Sequence, residues 1–288
     1  MNRNLANLLG WAPADFGRMD FDGQLVEAIR VFQQSKGLGA DGLCGRNTYS
    51  ALLLERQATL RAGEARTIEA CGVIAMCEAK IMWLKNIIDL PPASDARYET
   101  CRKAIDDMIR TDLGLDWTWQ DAYRDNYEWC GAFASFAWRA AGLKRDLRYQ
   151  YWSSTYRLEL FGRYKRFDTV PNPPPAGGEP RRKIVDLDEH SGPMDARFAF
   201  DDPPRAGDIL LVGGKNTAYG KHVTVVESFD EATGVFTTLE GNATGAGPSG
   251  GVRHGVIRHK RGVGLLASSS PTTYHARRLI RLSIADLS

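Results

Sequence analysis

One stretch constrains the fold of this chain more than any other: the aromatic, helix-forming run at residues 126–143. Large apolar residues recur along it at the spacing of one helix face, namely Trp129, Phe133, Phe136 and Ala140. Gly142 follows where a helix commonly ends. The pattern predicts a helix with a buried aromatic face, so a substantial core must form around it.

Cys130 falls in the first turn of this predicted helix. The unpaired amides and the macrodipole at a helix start favour negative charge, which would stabilise a reactive thiolate there. Glu128 opposes this effect, so a cationic partner is needed. The alternative is that Cys130 is a small buried residue, as most cysteines are. This stretch alone leaves both interpretations open.

The composition describes a globular chain with enough apolar material for a core. Its 288 residues suit two domains of ordinary size, or one domain with an appendage. With 43% hydrophobic residues, 25% charged residues and a net charge of +2, the chain as a whole has no strong attraction for nucleic acid or membranes.

The C-terminal end is locally basic. Only Asp286 balances a set of seven cationic residues: Arg253, Arg258, Lys260, Arg261, Arg277, Arg278 and Arg281. Such a run is typical of a solvated face, with attraction to an anionic polymer such as a cell envelope as the alternative.

No metal, cofactor or membrane segment is predicted. Neither a signal peptide nor an apolar run long enough to span a membrane stands out, so we expect synthesis in the cytoplasm and no stable membrane insertion. The cysteines are odd in number and not spaced as zinc ligands: Cys44, Cys71, Cys77, Cys101 and Cys130. His190 lies among acidic residues, but no spacing there supports a metal site.

The first 56 residues are predicted to form a small helical domain. A helix is expected over residues 24–36, a turn over 39–42, and a short helix from about Thr48 to Leu54 with Asn47 as its cap. The segment 57–118 is predicted to be a helical connector. Its helix carries one apolar stripe and ends at Pro91-Pro92, and Ser94 can cap the next helix.

The N-terminal segment resembles the peptidoglycan-binding domain attached to many cell-wall hydrolases. The resemblance rests on Phe32-Gln33, Gly37-Leu38, Asp41-Gly42, Gly45, Thr48 and Ala51-Leu52. It implies bacterial peptidoglycan as a partner, with Asp41, Gly42 and Arg46 in the binding element. The earlier copy of that element departs from the family, since Asp22 stands where glycine is usual. A bundle that only packs on its neighbour is the alternative.

From Pro204 the pattern changes to strands, predicted over residues 208–212, 222–228 and 235–240. The last two form a hairpin across a turn at 230–234. One turn register puts His222 directly opposite Glu240, and a shift of one residue in each strand puts it opposite Asn242. Both partners lie on one face, whereas a shift in only one strand would separate them from His222.

A proline-rich insertion at about 144–204 is predicted to flank a substrate groove.

A cysteine at a helix start, a histidine on a strand and an acid or amide behind the histidine form a cysteine-nucleophile arrangement. Cys130 would be the nucleophile, His222 the base, and Glu240 or Asn242 the residue that orients the imidazole. The backbone amide of Cys130 would stabilise the oxyanion, with a second donor from Asn126 or Tyr127.

Four ordered segments resemble the CHAP family, the cysteine- and histidine-dependent amidohydrolases/peptidases. They are Trp129-Cys130-x-x-Phe133, Pro204-Arg205-Ala206-Gly207-Asp208, His222-Val223-x-Val225-Val226-Glu227 and Leu239-Glu240-Gly241-Asn242. The resemblance implies an α+β, papain-like catalytic domain over 119–288. It also implies Cys130 as nucleophile, His222 as base and Glu240 as the orienting residue, with Asn242 and Trp129 near the site.

The expected function is therefore a peptidoglycan hydrolase that cuts an amide, either as an N-acetylmuramoyl-L-alanine amidase or as a stem or bridge endopeptidase. It would act in the periplasm after phage-type release or injection as an antibacterial effector, the latter with an immunity protein as partner. The first alternative is a non-catalytic wall-binding structural protein with a degenerate hydrolase domain. The second is thiol chemistry on a soluble amide, or acyl transfer.

Overall fold

A computed structural model describes residues 1–63, 67–89, 91, 93–113, 128–143, 184–186, 203–213, 222–262 and 275–282. The helices in these ranges are α1 (Asn2–Leu9), a 3-10 turn (Pro13–Phe16), α2 (Gly23–Ser35), α3 (Arg46–Ala62), α4 (Ile68–Leu84), α5 (Tyr98–Leu113) and α6 (Cys130–Ala140). The strands are β1 (Ile184–Asp186), β2 (Ile209–Gly213), β3 (His222–Asp230), β4 (Val235–Ala246), β5 (Val252–Gly262) and β6 (His275–Ile280).

The strands form one antiparallel sheet in the order β1-β6-β2-β3-β4-β5. An N-terminal helical region precedes this mixture of helices and antiparallel sheet, in agreement with the predicted α+β class. Sequence analysis did not predict β5 and β6, which lie in the segment interpreted as a basic, solvated end. One continuous hydrophobic core joins the N-terminal helices, α4 to α6 and the sheet.

Buried amides hold the turn between α2 and α3. The side chain of Gln33 lies within hydrogen-bonding distance of Asp41 Oδ1 (2.8 Å) and Thr48 Oγ1 (3.0 Å), and it accepts a bond from the Gly42 amide (2.9 Å). From α1, Asn2 donates to the Gly42 carbonyl (2.9 Å). The glycine-rich turn is thus tied to both preceding helices, which explains why polar residues occupy this core.

The start and length of α3 differ from the prediction. The helix begins at Arg46 with Gly45 as its cap, not at Thr48 with Asn47 as its cap. Thr48 is instead buried and bonded to Gln33, so the whole first turn is held against α2. The helix also runs to Ala62, past the predicted boundary at residue 56. The domain boundaries themselves stay predictions.

Helix α4 is central to the structure and is not a one-sided connector. It is buried on nearly all sides and packs on α3, α6 and the strands β3 to β5. Gly72 of α4 and Gly207 of the turn before β2 let the two backbones pack directly on each other. A Cβ added at Gly72 would lie 2.5 Å from the Ala206 carbonyl oxygen. The turn before β2 is thereby fixed between α4 and α6, where Trp138 Nε1 donates to the Gly207 carbonyl (2.9 Å).

Candidate active site

The start of α6 lies directly against β4. Trp129 occupies the cap position and Cys130 is the first helical residue, as predicted. A Cβ added at Gly241 would lie 2.5 Å from Phe133 Cβ and 2.8 Å from the Trp129 ring. Only glycine lets strand and helix approach this closely, and the approach brings Cys130 beside the residues of β3 and β4.

A β-bulge sets the register that the sequence left open. Near the turn, Asp230 pairs with Val235. Extended along the strands, this pairing would put His222 across from Ala243 and turn it away from the face of Glu240. The register changes between Val226 and Ser228, where Glu227 is the extra residue of β3.

Beyond the bulge Val225 pairs with Leu239, which puts His222 across from Asn242 when extended to that position. This is the second of the two predicted registers. His222 and Glu240 then share a face of the hairpin, diagonally placed, and diagonal neighbours remain within reach of long side chains.

His222 connects the thiol to the carboxylate. Its Nε2 lies 3.1 Å from Glu240 Oε2, and the ring lies near enough to Cys130 for that residue to influence its pKa. Since Glu240 occupies Nε2, Nδ1 is the nitrogen left for the thiol. Burial alone would lower the pKa of His222, but the charge and hydrogen bond of Cys130, together with Glu240, outweigh burial and raise that pKa to about 10.

Glu240 is fully buried and accepts hydrogen bonds from three side chains. Besides His222 they are Thr238 Oγ1 (2.6 Å) and Arg261, which donates from Nε (2.8 Å) and Nη2 (2.6 Å). Burial would raise the pKa of Glu240, yet the hydrogen bonds and charges of His222 and Arg261 hold it well below its usual range. The carboxylate is therefore a permanent acceptor.

Sequence analysis missed Arg261, because its strand was interpreted as a solvated basic face. That interpretation is wrong at three positions. Arg258 bonds Glu227, Arg261 bonds Glu240 and Arg281 bonds Asp208. The turn-forming pair Gly250-Gly251, followed within a few residues by the apolar pair Val256-Ile257, was the signal that could have identified β5.

Cys130 is buried, with 1% of its surface exposed, but its environment differs from that of the other described thiols. Burial raises the pKa of Cys77 to about 11, and it also raises the pKa of Cys44 and of Cys101. Cys130 instead lies near His222 and helps to raise the pKa of that histidine. The burial agrees with the interpretation of Cys130 as a small buried residue, and its reactivity stays a prediction.

The other predicted site residues lie in different positions. The hydrogen bond of His222 goes to Glu240 rather than to Asn242, which is half-buried and left-handed (φ 54°) at a bulge of β4. Trp129 is buried, and its Nε1 has no hydrogen-bond partner within the described ranges. The predicted oxyanion residues Asn126 and Tyr127 fall outside the described residues.

Of the three predicted peptidoglycan-binding residues, Asp41 and Gly42 hold the turn between α2 and α3, and both Asp41 and Arg46 are exposed. Asp41 accepts from Gln33 and from the Leu43 amide (2.9 Å), and these bonds, that of Gln33 first, lower its pKa. Gly42 is left-handed (φ 75°), and a Cβ there would lie 2.7 Å from Val26. Both residues shape the turn. Arg46 is exposed at the start of α3.

A cleft of about 340 Å³ opens beside that turn. Its walls come from the start of α1 and the start of α2, and it is lined by Asn2, Arg3, Phe21, Asp22, Val26 and Leu43. The Arg3 guanidinium lies over the Phe21 ring, 5.3 Å from its centroid. Arg46 does not line this cleft.

The other two histidines whose side chains the structure describes each have a polar partner. His254 pairs with Asp89 (Nδ1 to Oδ2, 3.1 Å), and His259 Nε2 lies 3.0 Å from the Thr244 carbonyl oxygen. Within the described ranges no group of histidine, cysteine and acidic residues could hold a metal ion. His190 lies outside these ranges. No helix among the described residues is long and apolar enough to cross a membrane.

The described site thus belongs to the class of buried cysteine–histidine–glutamate arrangements. Comparison with known families adds one match: the model of a peptidoglycan binding domain matches residues 2–52. The match supports a peptidoglycan-binding domain at the N-terminus, with peptidoglycan as a partner, and suggests cell-wall association. The chain matches none of the curated proteins and none of the solved structures with which it was compared.

Proposed function

We propose that this protein is a peptidoglycan hydrolase that cuts an amide bond with Cys130 as its nucleophile. One observation carries the proposal: His222 contacts the buried Glu240 carboxylate at 3.1 Å and lies near enough to Cys130 for that residue to raise its pKa. A peptidoglycan-binding domain on the same chain supplies the substrate class. The ordered resemblance to the CHAP family supports the same chemistry.

In the first half of the reaction, His222 accepts the thiol proton and the Cys130 sulfur attacks the carbonyl carbon of the amide. The tetrahedral intermediate carries its negative charge on oxygen, and the backbone amide of Cys130 at the start of α6 would donate a hydrogen bond to it. Collapse of the intermediate breaks the carbon–nitrogen bond. The His222 imidazolium gives its proton to the leaving amine, and the acyl group remains on sulfur as a thioester.

In the second half, neutral His222 takes a proton from water, and the resulting hydroxide attacks the thioester carbonyl. Collapse of this intermediate releases a carboxylic acid and returns the proton to the Cys130 sulfur. Glu240 keeps its negative charge throughout. It orients the imidazole and stabilises the imidazolium without itself accepting the proton.

In this proposal the N-terminal domain binds the wall and the C-terminal domain cuts the amide. Attachment of the N-terminal domain to the wall raises the local concentration of scissile amides at the catalytic domain, which compensates for a weak individual site. The proposed bond is the one between muramic acid and L-alanine, or one within the stem peptide or its bridge. The 340 Å³ cleft with Arg3 and Phe21 offers an aromatic surface and a cation for a carboxylate-bearing strand.

The test is the release of soluble fragments from purified sacculi by wild type and by Cys130→Ser. Cys77→Ala is the matched control, because Cys77 is equally buried but lies in α4. We expect release by wild type and by the control, and none by Cys130→Ser. Equal release by Cys130→Ser would end the proposal. Mass spectrometry of the fragments would identify the bond, since every cut leaves a free amine, but the new carboxylate is lactyl for the muramoyl–alanine bond and peptidyl for a stem or bridge bond.

The burial of Cys130 favours a second candidate, a wall-binding protein whose hydrolase-like domain does not turn over substrate. This candidate predicts that the chain sediments with sacculi but releases no fragments even from wild type. The delivery route is a prediction common to both candidates: phage-type release, or injection into a competitor. Co-purification with a small exported inhibitor would support injection.

A further inference from the structure

Arg261 makes a two-pronged contact with the carboxylate behind the histidine. Its Nε donates to one Glu240 oxygen (2.8 Å) and its Nη2 to the other (2.6 Å), while its side chain is only 15% exposed. It reaches this position from β5, where it pairs with Phe236 rather than with Glu240. The guanidinium therefore extends along the sheet toward the candidate active site.

The two-pronged contact removes the rotational freedom of Glu240. With Arg261 on both oxygens and Thr238 on one of them, the carboxylate plane is fixed and its charge is retained. An ionised carboxylate only accepts hydrogen bonds. His222 must then carry its proton on Nε2, which leaves Nδ1 for Cys130.

We propose that Arg261 is a positioning residue that locks Glu240 in the orientation that fixes the His222 tautomer and so poises Cys130. This inference rests on the cysteine–histidine chemistry of the proposed function. Arg261 acts through Glu240 and does not contact the thiol in this arrangement. It is the fourth member of a chain of contacts that runs from β5 to the start of α6.

Removing Arg261 would change the electrostatics of the site in a definite direction. Glu240 would stay buried with only His222 and Thr238 as partners, and burial favours the neutral carboxylic acid. A protonated Glu240 no longer supports the imidazolium, which in turn no longer supports the thiolate. The acid limit of the thiolate–imidazolium pair should therefore move to higher pH.

The other ionisable groups around this pair must be counted in any pH experiment. Cys130 faces His222 from α6, and His259 faces Glu240 and Arg261 from β5. Burial lowers the pKa of His259, and the charge of Arg261 lowers it further, while the charge of Glu240 acts in the opposite direction. A His259→Gln background separates its titration from that of His222.

The test is a pH titration of the Cys130 thiolate, followed by its ultraviolet absorbance as a difference from Cys130→Ser. The acid limb of this curve is the pH range in which the thiolate absorbance disappears on acidification. For Arg261→Gln we expect the acid limb to move upward by about one pH unit or more. Arg261→Lys keeps the charge but loses the two-pronged geometry, so we expect a smaller shift together with a loss of turnover of about tenfold or more. KM for sacculi should change little in both variants.

Arg281→Gln is the matched control. Arg281 holds Asp208 with the same two-pronged geometry, at 2.9 Å from Nε and 2.7 Å from Nη2, and its side chain is 14% exposed. Asp208 immediately precedes β2, whereas His222 pairs with Val212 near the opposite end of that strand. A purely structural role for Arg261 predicts that both glutamine variants lose stability and that neither moves the acid limb. A folded Arg261→Gln protein with the wild-type limb would overturn the inference.

If Arg261→Gln does not fold, Arg261→Lys decides, and a wild-type limb with wild-type turnover would overturn the inference. The thiolate titration needs no substrate. Wild-type protein that shows the limb but releases no wall fragments would therefore refute the proposed function and leave the role of Arg261 standing.

Discussion

Two glutamates on one hairpin, Glu240 fully buried and Glu227 with a side chain 10% exposed, are held in nearly the same way. Glu227 on β3 accepts from Arg258 (Nε 2.7 Å, Nη2 3.2 Å), and Glu240 on β4 accepts from Arg261 (Nε 2.8 Å, Nη2 2.6 Å). Both arginines come from β5. In each case the arginine neutralises a carboxylate that burial would otherwise make costly.

The third partner distinguishes the two clusters. Glu227 also accepts from Lys80 Nζ (2.7 Å), whose side chain is fully buried in α4, whereas Glu240 faces His222. An ammonium beside a carboxylate forms a static ion pair, while an imidazole beside a thiol can accept and return a proton. The same carboxylate–arginine unit therefore holds a lysine in one place and, under the proposed function, supports a catalytic histidine in the other.

The sharpest way to break this comparison is to neutralise each glutamate in turn. We expect Glu240→Gln to lower kcat/KM on sacculi about a thousandfold, because the imidazolium loses its charged partner. Glu227→Gln should leave the activity of folded protein within a few-fold of wild type and lower its stability instead. Fragment release normalised to folded protein separates these effects. An equal activity loss in both variants would show that the clusters do not differ in kind.

Removal of the amine tests the static cluster directly. We expect Lys80→Met to lower the free energy of unfolding by about 3 kcal/mol, because it leaves a buried carboxylate short of one partner. The control is Lys36→Met. Lys36 pairs with Glu55 at 3.3 Å on the surface, where such a pair contributes less than about 1 kcal/mol. Urea unfolding measures both, and similar losses would contradict the assigned role of Lys80.

The pH dependence of stability should have opposite signs in the two clusters. The pKa of His222 rises from 6.5 to about 10, so its contribution is complete below pH 6.5 and is lost as the pH rises toward 10. Burial lowers the pKa of Lys80 from 10.5 to about 8, so its penalty is complete below pH 8 and is relieved above it. We expect the free energy of unfolding, measured across this pH range, to lose the contribution that falls with pH in His222→Gln. In Lys80→Met it should lose the contribution that rises with pH. Unchanged slopes would refute the assignments.

The smallest expected effect concerns the join between the peptidoglycan-binding domain and the static cluster. Gly10 ends α1 at φ 81°, and a Cβ there would lie 2.8 Å from Arg258 Nη2 and 3.0 Å from Glu227 Oε1. Gly10→Ala should cost about 1 kcal/mol for the backbone, plus the cost of crowding. Gly17→Ala isolates the backbone cost, because Gly17 has φ 67° and open space around it. Equal thermal shifts would show that the cluster tolerates the methyl group.

Much of the candidate site could be predicted from local patterns. Helical spacing placed Cys130 at the start of α6, and strand alternation with turn composition placed His222 and Glu240 on one hairpin. The limit was register. Near the turn the strands pair in a way that alone would separate His222 from Glu240, and one extra residue at Glu227 restores the shared face. A bulge in a β-branched strand has no clear sequence signal.

The arginines were beyond local prediction for a different reason. A run of cations looks the same in sequence whether it faces water or a buried carboxylate. Arg258 and Arg261 find their acids only because β5 pairs with β4 and lies beside the end of α4. The basic run was therefore assigned to solvent, although it supplies the counterions of both clusters.

By itself the sequence determined the helix that begins at Cys130, the strands β2 to β4, the resemblance of the N-terminal segment to a peptidoglycan-binding domain, and which cysteine, histidine and acid are the candidates for chemistry. These properties follow from spacing within one element, which the chain carries locally. Only the tertiary structure decided the register at His222, the choice of Glu240 over Asn242 as its partner, and the arginine behind it. Those depend on contacts between distant segments, whose geometry is settled when the shared core packs.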